Sequence, residues 1–331
     1  MKGDSRLINE LLAFDRGAVV EGICHGLRQQ VHRSLHRKGV VLGLSGGIDS
    51  SVCAALAVRA FGPRGVLGLL MPEAHSDRES ERLGRLMAEK LGIECLLETI
   101  TPALEGLGCY RRQEEAIRQA IPAYGPGWRS KIVLPSVVES EAYRFNTLVA
   151  LSPEGEEFRC RLAPKAYLAL VAATNFKQRV RKTFEYYHAD RLAFAVLGTP
   201  NRLEYDQGFF VKNGDGAADL KPIAHLYKTQ VYALGKYLEL PEEIQGRAPT
   251  TDTYSLPQSQ EEFYFPLSYQ PMDCCLLAYN RGLAPEETAA EMGLATEQVE
   301  RVYRDIEAKR RVARYHHEAP LLIEALDGIH A

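Results

Sequence analysis

The sequence predicts an α/β protein with a doubly wound parallel sheet and an inserted segment. Three observations carry this. Short β-rich runs alternate with helical patterns at crossover spacing, a glycine-containing turn follows the first run directly, and the alternation breaks between about residues 105 and 172 before resuming.

With 331 residues the chain is long enough to bury a sizeable core, and 46% hydrophobic with 25% charged residues is a globular composition. Forty basic against 43 acidic side chains leave a net charge of -3, which gives no global attraction to nucleic acid or anionic lipid. Neither is expected as a partner. Seven cysteines without a C-x-x-C pair argue against a disulfide framework and against a zinc site, so the expected compartment is the cytoplasm. The N-terminal stretch carries Glu10 and Asp15 instead of an apolar signal core. The longest apolar run, Ala166 to Ala173, is far short of the roughly 20 residues of a membrane span.

In order along the chain, Val19, Val20, Ile23, Leu27 and Val31 recur at helical spacing. Val40 to Leu44 then forms a β-rich run, and Ser51 to Phe61 a compact helix of small residues able to pack close to a sheet. Val66 to Met71 is a second strand ending at Pro72, Ser76 to Leu91 a charged amphipathic helix, and Glu94 to Ile100 a third strand. The insertion contains Gly125-Pro-Gly-Trp-Arg129 and two β-rich runs, Arg144 to Leu151 and Glu157 to Leu162, which predict a hairpin across residues 152–156. A helix from about Tyr167 to His188, a strand from Ala193 to Leu197 and a helix from Lys228 to Leu238 resume the rhythm, and 284–314 is helical. The domain is placed at 17–312, with 313–331 as a tail.

The chemistry concentrates in Ser45-Gly-Gly-Ile-Asp-Ser-Ser51. A strand feeding a glycine turn that opens a helix exposes free N–H groups backed by the helix dipole, which suits phosphate oxygens. Gly46 and Gly47 permit close approach, while Ser45, Ser50 and Ser51 add hydroxyls. The loop lacks the lysine of a Walker A sequence and the spacing of a dinucleotide fingerprint. Asp49 would repel a phosphate unless a divalent cation lies between them, which implies magnesium. The plainer alternative is that Ser45 or Asp49 only caps the helix.

Ser45-Gly-Gly-Ile-Asp-Ser50 resembles the pyrophosphate loop S-G-G-x-D-S of the N-type ATP pyrophosphatases, with their Rossmann-like, adenine nucleotide alpha hydrolase fold. Ala195 to Glu204, Gly214-Asp-Gly-Ala-Ala-Asp219, Leu226-Tyr-Lys-Thr-Gln230 and Ala248-Pro-Thr-Thr-Asp252, with Asn175 to Arg179 upstream and Glu307 to Arg310 downstream, are similar to the NAD synthetase family. The resemblance implies ATP and magnesium, adenylylation of the nicotinic acid adenine dinucleotide carboxylate, and displacement of AMP by ammonia. Ser45, Gly47, Asp49 and Ser50 would hold pyrophosphate and magnesium, with Glu204 a second metal ligand. Thr199 and Arg179 would contact nucleotide or substrate, Asp215 and Asp219 would lie in the substrate and ammonia region, and Lys228, Thr250 and Lys309 would stabilise phosphate charge. Asp49, Lys228, Thr250 and Asp215 are the catalytic candidates.

Individually these residues have plainer readings: Asp215 as a turn residue, Asp219 as a cap, and Arg179 and Arg181 with Lys177 and Lys182 as a solvated basic helix face. The chain departs from the family at Ala308, where histidine is usual, at Gln260, where an acid is usual, and in the length of 105–172. That length motivates an alternative in which another carboxylate, such as a sugar acid or a biosynthetic acid, is amidated. About forty residues precede the loop, too few for an amidase domain, so free ammonia or a separate glutaminase is expected as nitrogen source. A homodimer is expected by resemblance.

Two other readings are weaker. Residues 284–299 have a helix-turn-helix look with Gly293 in the turn, but Glu297, Glu300 and Asp305 oppose DNA. Sulfur-inserting relatives need reactive cysteines, whereas Cys274 and Cys275 sit in an apolar run and Cys24 in an apolar helical pattern. His316 and His317 are expected at a helix end or surface.

Overall fold

The computed structural model describes residues 5–134, 146–250 and 253–324. Its N-terminal helices α1 (Arg6–Leu12) and α2 (Arg16–Arg28) lead into β1 (Val40–Gly43), α3 (Ile48–Phe61), β2 (Val66–Leu70), α4 (Arg78–Leu91) and β3 (Glu94–Leu97). Helices α5 (Thr101–Gly106) and α6 (Cys109–Arg118) precede three strands, β4 (Arg129–Val133), β5 (Thr147–Leu151) and β6 (Glu157–Arg161). The long α7 (Pro164–Leu192) returns the chain to β7 (Ala195–Val196). The remainder is helical: α8 (Arg202–Gln207), α9 (Lys228–Tyr237), α10 (Glu242–Gly246), α11 (Gln260–Phe263), α12 (Tyr269–Asn280), α13 (Pro285–Met292) and α14 (Thr296–His317).

The central sheet is parallel with order β3-β2-β1-β7, in register Val40 opposite Val66 and Ala195. Strand residues alternate between two cores because successive side chains point to opposite faces. Val40 and Leu42 pack with α2, α3, α4 and α9, whereas Val41, Leu67 and Leu69 pack with Ile100, Leu104, Val180 and Ala189 from α5–α7 and their flanks. Both faces are therefore covered, as a parallel sheet requires. The chain leaves β1 toward β2 through α3 and reaches β7 through α7 on the other face. The topological switch point, where open α/β sheets place ligands, is the C-terminal end of β1.

The inserted segment forms its own antiparallel sheet, order β4-β5-β6. The hairpin expected around 152–156 is β5–β6; the start of its first run, Arg144 and Phe145, lies outside the described residues. The sequence reading did not anticipate β4, because Arg129-Ser-Lys-Ile-Val133 carries two basic residues and little apolar alternation. Pairing to β5 overrides that weak local preference. Ile132, Leu148 and Ala150 from this sheet pack with Ile117 of α6 and with Ala166 and Leu170 of α7. A fourth core joins α1, α12, α13 and α14, in which Cys274 and Cys275 are fully buried. Burial pushes both thiols up to about 12, which removes them as nucleophiles. Between α13 and α14, Gly293 takes φ 66°, the left-handed conformation that ends α13. No helix among the described residues is long and apolar enough to cross a membrane.

Candidate active site

The turn after β1 is shaped by contact with α4. Gly46 has φ +69°, and an added Cβ would stand 2.7 Å from Leu83 Cβ and 2.8 Å from the Ser80 carbonyl oxygen. Only glycine fits there. Gly47 is the N-cap of α3 and supplies no side-chain cap, and Asp49 is the acid of the first turn. Neither Ser45 nor Asp49 serves as the helix cap. Instead the Ser45 and Ser50 hydroxyls lie 3.1 Å apart, and the Gly47 N–H donates to Ser45 Oγ at 3.3 Å.

Asp49 faces two partners from the chain that follows β7. Lys228, the first residue of α9, donates through Nζ to Asp49 Oδ2, and Asn201 Nδ2 donates to Asp49 Oδ1 at 3.1 Å. Asn201 also caps α8: its side chain accepts from the Glu204 N–H at 3.2 Å, while Glu204 Oε2 accepts from the Asn201 N–H at 3.1 Å. This reciprocal capping box aims Glu204 at the same point as Asp49. Burial, reinforced by the Asp49 charge, pushes the Glu204 carboxyl up to about 7. Burial alone would depress Lys228, but Asp49 and Glu204 outweigh it and hold the ammonium above the ordinary lysine range. Two converging carboxylates offer only oxygen donors, the chemistry a hard cation such as magnesium takes, with further ligands from phosphates and water. No group of three or more His, Cys, Asp or Glu side chains that could hold a metal ion occurs among the described residues.

Asp49, Glu204 and Lys228 line one cavity of about 900 Å³ at the switch point. Of the residues singled out in the sequence, Ser45, Gly47, Asp49, Ser50, Thr199, Glu204, Lys228, Thr250, Arg179, Asp215 and Lys309 all line it. Three others do not face it. Gly46 backs onto α4, the Ser51 hydroxyl is buried without a hydrogen-bond partner, and Asp219 is tied to the sheet edge, where its Oδ2 accepts from the Val196 N–H at 2.7 Å. Asp215 does make the turn bond expected of it, accepting from the Val211 N–H at 2.8 Å, yet burial raises its carboxyl above the usual range. Lys309 Nζ donates to the Tyr264 carbonyl at 2.6 Å and sits 4.3 Å from the centre of that ring.

The sequence profile of the NAD synthase family matches residues 19–120 and 144–314. The chain belongs to the NAD synthase family. It is 58% identical over 320 residues to the NH(3)-dependent NAD(+) synthetase of Rhizobium meliloti, covering 97% of this chain and 96% of that one. The corresponding protein of Thermotoga maritima is 32% identical over 92% of this chain and 99% of its own. Among solved structures, NMN synthetase from Francisella tularensis aligns with a TM-score of 0.65 at 23% identity, covering 93% of this chain and 98% of the other. The NH3-dependent NAD synthetase from Campylobacter jejuni aligns at 0.61 and 23%, covering 94% and 100%. At these identities the structures speak to the fold, which is that of NAD synthases.

Several cavity groups escaped the sequence reading. Arg247 donates to the Ser45 carbonyl at 3.2 Å and to Ser80 Oγ at 2.8 Å, spanning the turn after β1 and α4. Arg247 stands just before the Ala248-Pro-Thr-Thr-Asp252 stretch and outside it, so that stretch did not mark it. The basic stretch on α7 is not a solvated face: Lys177 is 0% and Lys182 5% exposed, and Lys182 Nζ lies 2.5 Å from Glu185 Oε2 beneath the cavity. Only Arg179 of that stretch is exposed. The plainer reading of a solvated face fails because Lys177 meets Glu73 across 104 residues, and although Lys182 pairs with Glu185 one turn on, no local pattern shows that the pair is buried. His316 ends α14 as expected, but its ring also lines the cavity beside Phe210, at 5.6 Å between centroids. The histidine pair signalled a helix end; only the fold turns His316 inward.

Proposed function

We propose that the protein is an ammonia-dependent NAD synthetase. The observation that carries this is the 58% identity, over nearly the whole of both chains, to a protein named for that activity. The convergence of the Ser45–Ser50 loop, Asp49, Glu204 and Lys228 at the end of β1 supports the same reading. In it a carboxylate oxygen of nicotinic acid adenine dinucleotide attacks the α-phosphorus of ATP, the α–β bridging P–O bond breaks, and pyrophosphate leaves. Ammonia nitrogen then attacks the acyl carbon, the C–O bond to AMP breaks, and the nitrogen loses a proton as the amide forms.

Each residue has a role set by its place. Ser45, Ser50, Gly47 and the first turn of α3 hold the departing pyrophosphate, with Gly46 fixing the turn and Ser51 continuing the helix behind it. Lys228 and Thr250 place a cation and a hydroxyl on the phosphates, where fixed charge lowers the barrier most. A magnesium ion held by Asp49 and Glu204 would neutralise phosphate charge when bound. Thr199 and Arg179 contact nucleotide or acid substrate, Lys309 closes the cavity from α14, and Asp215 faces the incoming ammonia. For Asp219 the bond to Val196 supports a positioning role on β7. Small molecules are the partners, in a cytoplasmic homodimer under this reading.

Incubation with ATP, magnesium, ammonium and nicotinic acid adenine dinucleotide should yield AMP, pyrophosphate and NAD in equal amounts. ADP as the nucleotide product would refute the reaction. AMP formed only with the nicotinic acid mononucleotide would move it to a smaller acid.

A further inference from the structure

The group that the proposed reaction leaves unused is an ion pair sealed in the wall. Lys177 lies in mid-α7, and its side chain and that of Glu73, from the connection between β2 and α4, are both 0% exposed with Nζ 2.8 Å from Oε1. The same ammonium donates to the Thr253 carbonyl at 2.7 Å and stands 3.1 Å from His75 Nδ1. An ammonium has three donors and no acceptor, so Nδ1 accepts and all three N–H groups are used. Glu73 is completed by Tyr110, whose hydroxyl donates to Oε2 at 2.7 Å. Burial alone would raise the Glu73 carboxyl, but Lys177 outweighs it and holds it below the usual range.

We propose that Lys177 is a positioning residue, a three-way tie that holds separate walls of the cavity in register for the nucleotide. Neither Lys177 nor Glu73 lines the cavity, whereas Pro72 and Ser76 beside Glu73, Thr174 and Gln178 beside Lys177, and Thr253 all do. The pair therefore acts through its neighbours. For stability alone an apolar pair would serve as well, because desolvating two charges offsets much of their attraction. What an ammonium adds is direction: its bonds fix α7, the 72–77 connection and the Thr253 backbone relative to one another. Arg247, bonded to Ser45 and Ser80, anchors the chain just before Thr250. Thr250 lies between the two anchors, three residues from Thr253. A site ordered before binding loses less affinity to ordering than one assembled by its ligand.

The inference rests on the proposed ATP-dependent reaction, and its test separates the two. The double variant Lys177→Met/Glu73→Gln removes the charge pair without stranding a buried carboxylate. It should melt close to wild type, yet bind magnesium-ATP in calorimetry about tenfold or more weakly and show a matching rise in KM for ATP with a smaller change in kcat. Lys177→Arg, which keeps a charged donor, should recover part of the affinity. If the double variant binds ATP as the wild type does, or Lys177→Arg is no better than the double variant, Lys177 has only a structural role and the proposal fails. Failure of wild-type protein to amidate the dinucleotide would instead strike the reaction, because ATP binding is read without the acid.

Discussion

Lys228 is the residue on which the electrostatics of the site turn. It is 2% exposed, pairs with Asp49 and offsets part of the burial and Asp49 charge that raise Glu204. Lys228→Met should cut pyrophosphate release roughly 10²–10³-fold, the usual loss when one fixed charge-stabilising group is removed from an active site. It should also lower the melting temperature, since Asp49 and Glu204 then face each other uncompensated. Lys228→Arg should recover stability more than rate, because a planar guanidinium does not place its charge where a compact ammonium does. Single-turnover pyrophosphate release and thermal melts separate the two effects. That Lys228 could be singled out in the sequence while Lys177 and Lys182 could not has a physical cause. Lys228 starts a helix within Leu226-Tyr-Lys-Thr-Gln230, where the resemblance attaches a role to it, whereas Lys177, inside Asn175 to Arg179, lies in mid-helix with no role attached. Lys177 meets Glu73 across 104 residues of sequence, and on α7 it is spaced like any solvent-facing lysine.

Elements place these residues through their ends. The N-terminus of α9, which presents Lys228, is capped from another core by Asp273 of α12, itself 0% exposed. Asp273 Oδ2 accepts from the Thr229 N–H at 2.6 Å and the Thr229 hydroxyl at 2.7 Å, and Oδ1 from the Lys228 N–H at 3.3 Å. Asp273→Ala should cost about 2–3 kcal/mol, a lost cap plus buried donors left unmade, and reduce turnover by loosening Lys228. Burial outweighs those bonds and pushes the carboxyl from 3.8 up to about 7. The folded state then keeps a proton that the unfolded state releases, so between pH of about 4 and 7 stability falls as pH rises, and the loss is complete above that range. Asp273→Asn cannot titrate and should remove this part of the slope while keeping an acceptor for the helix; denaturant melts across that range check it. The strands that frame the site were legible because apolar runs bounded by glycine leave few alternatives. This cap was not, since Asp273 lies within an apolar helical run where an acid has no visible partner.

At the scale of the whole molecule, α7 joins the inserted sheet to the part of the chain built on the parallel sheet. Ala166 and Leu170 belong to the core of the insertion and Val180 and Ala189 to one face of the central sheet, on a single 29-residue helix. The sequence reveals the insertion by its broken rhythm but not this continuity, because a helix passing from one core to another has the same periodicity in both. The chain contains one tryptophan, Trp128, which packs in the insertion against Phe158 at 5.1 Å and Tyr124 at 5.7 Å between ring centroids. Tryptophan emission therefore reports the inserted sheet, while far-ultraviolet circular dichroism is dominated by helices of the remainder. With α7 shared, and with Leu134 and Tyr254 of the insertion core region forming part of the cavity wall, the sheet cannot open without exposing apolar surface on α7. Both probes should give one denaturant midpoint, as a cooperative unit requires. An earlier tryptophan transition would mean that the insertion unfolds on its own, and the tie through Lys177 would then hold a wall that is not rigid. Addition of magnesium-ATP should raise both midpoints together, because a ligand that binds only the folded cavity stabilises every element needed to form it.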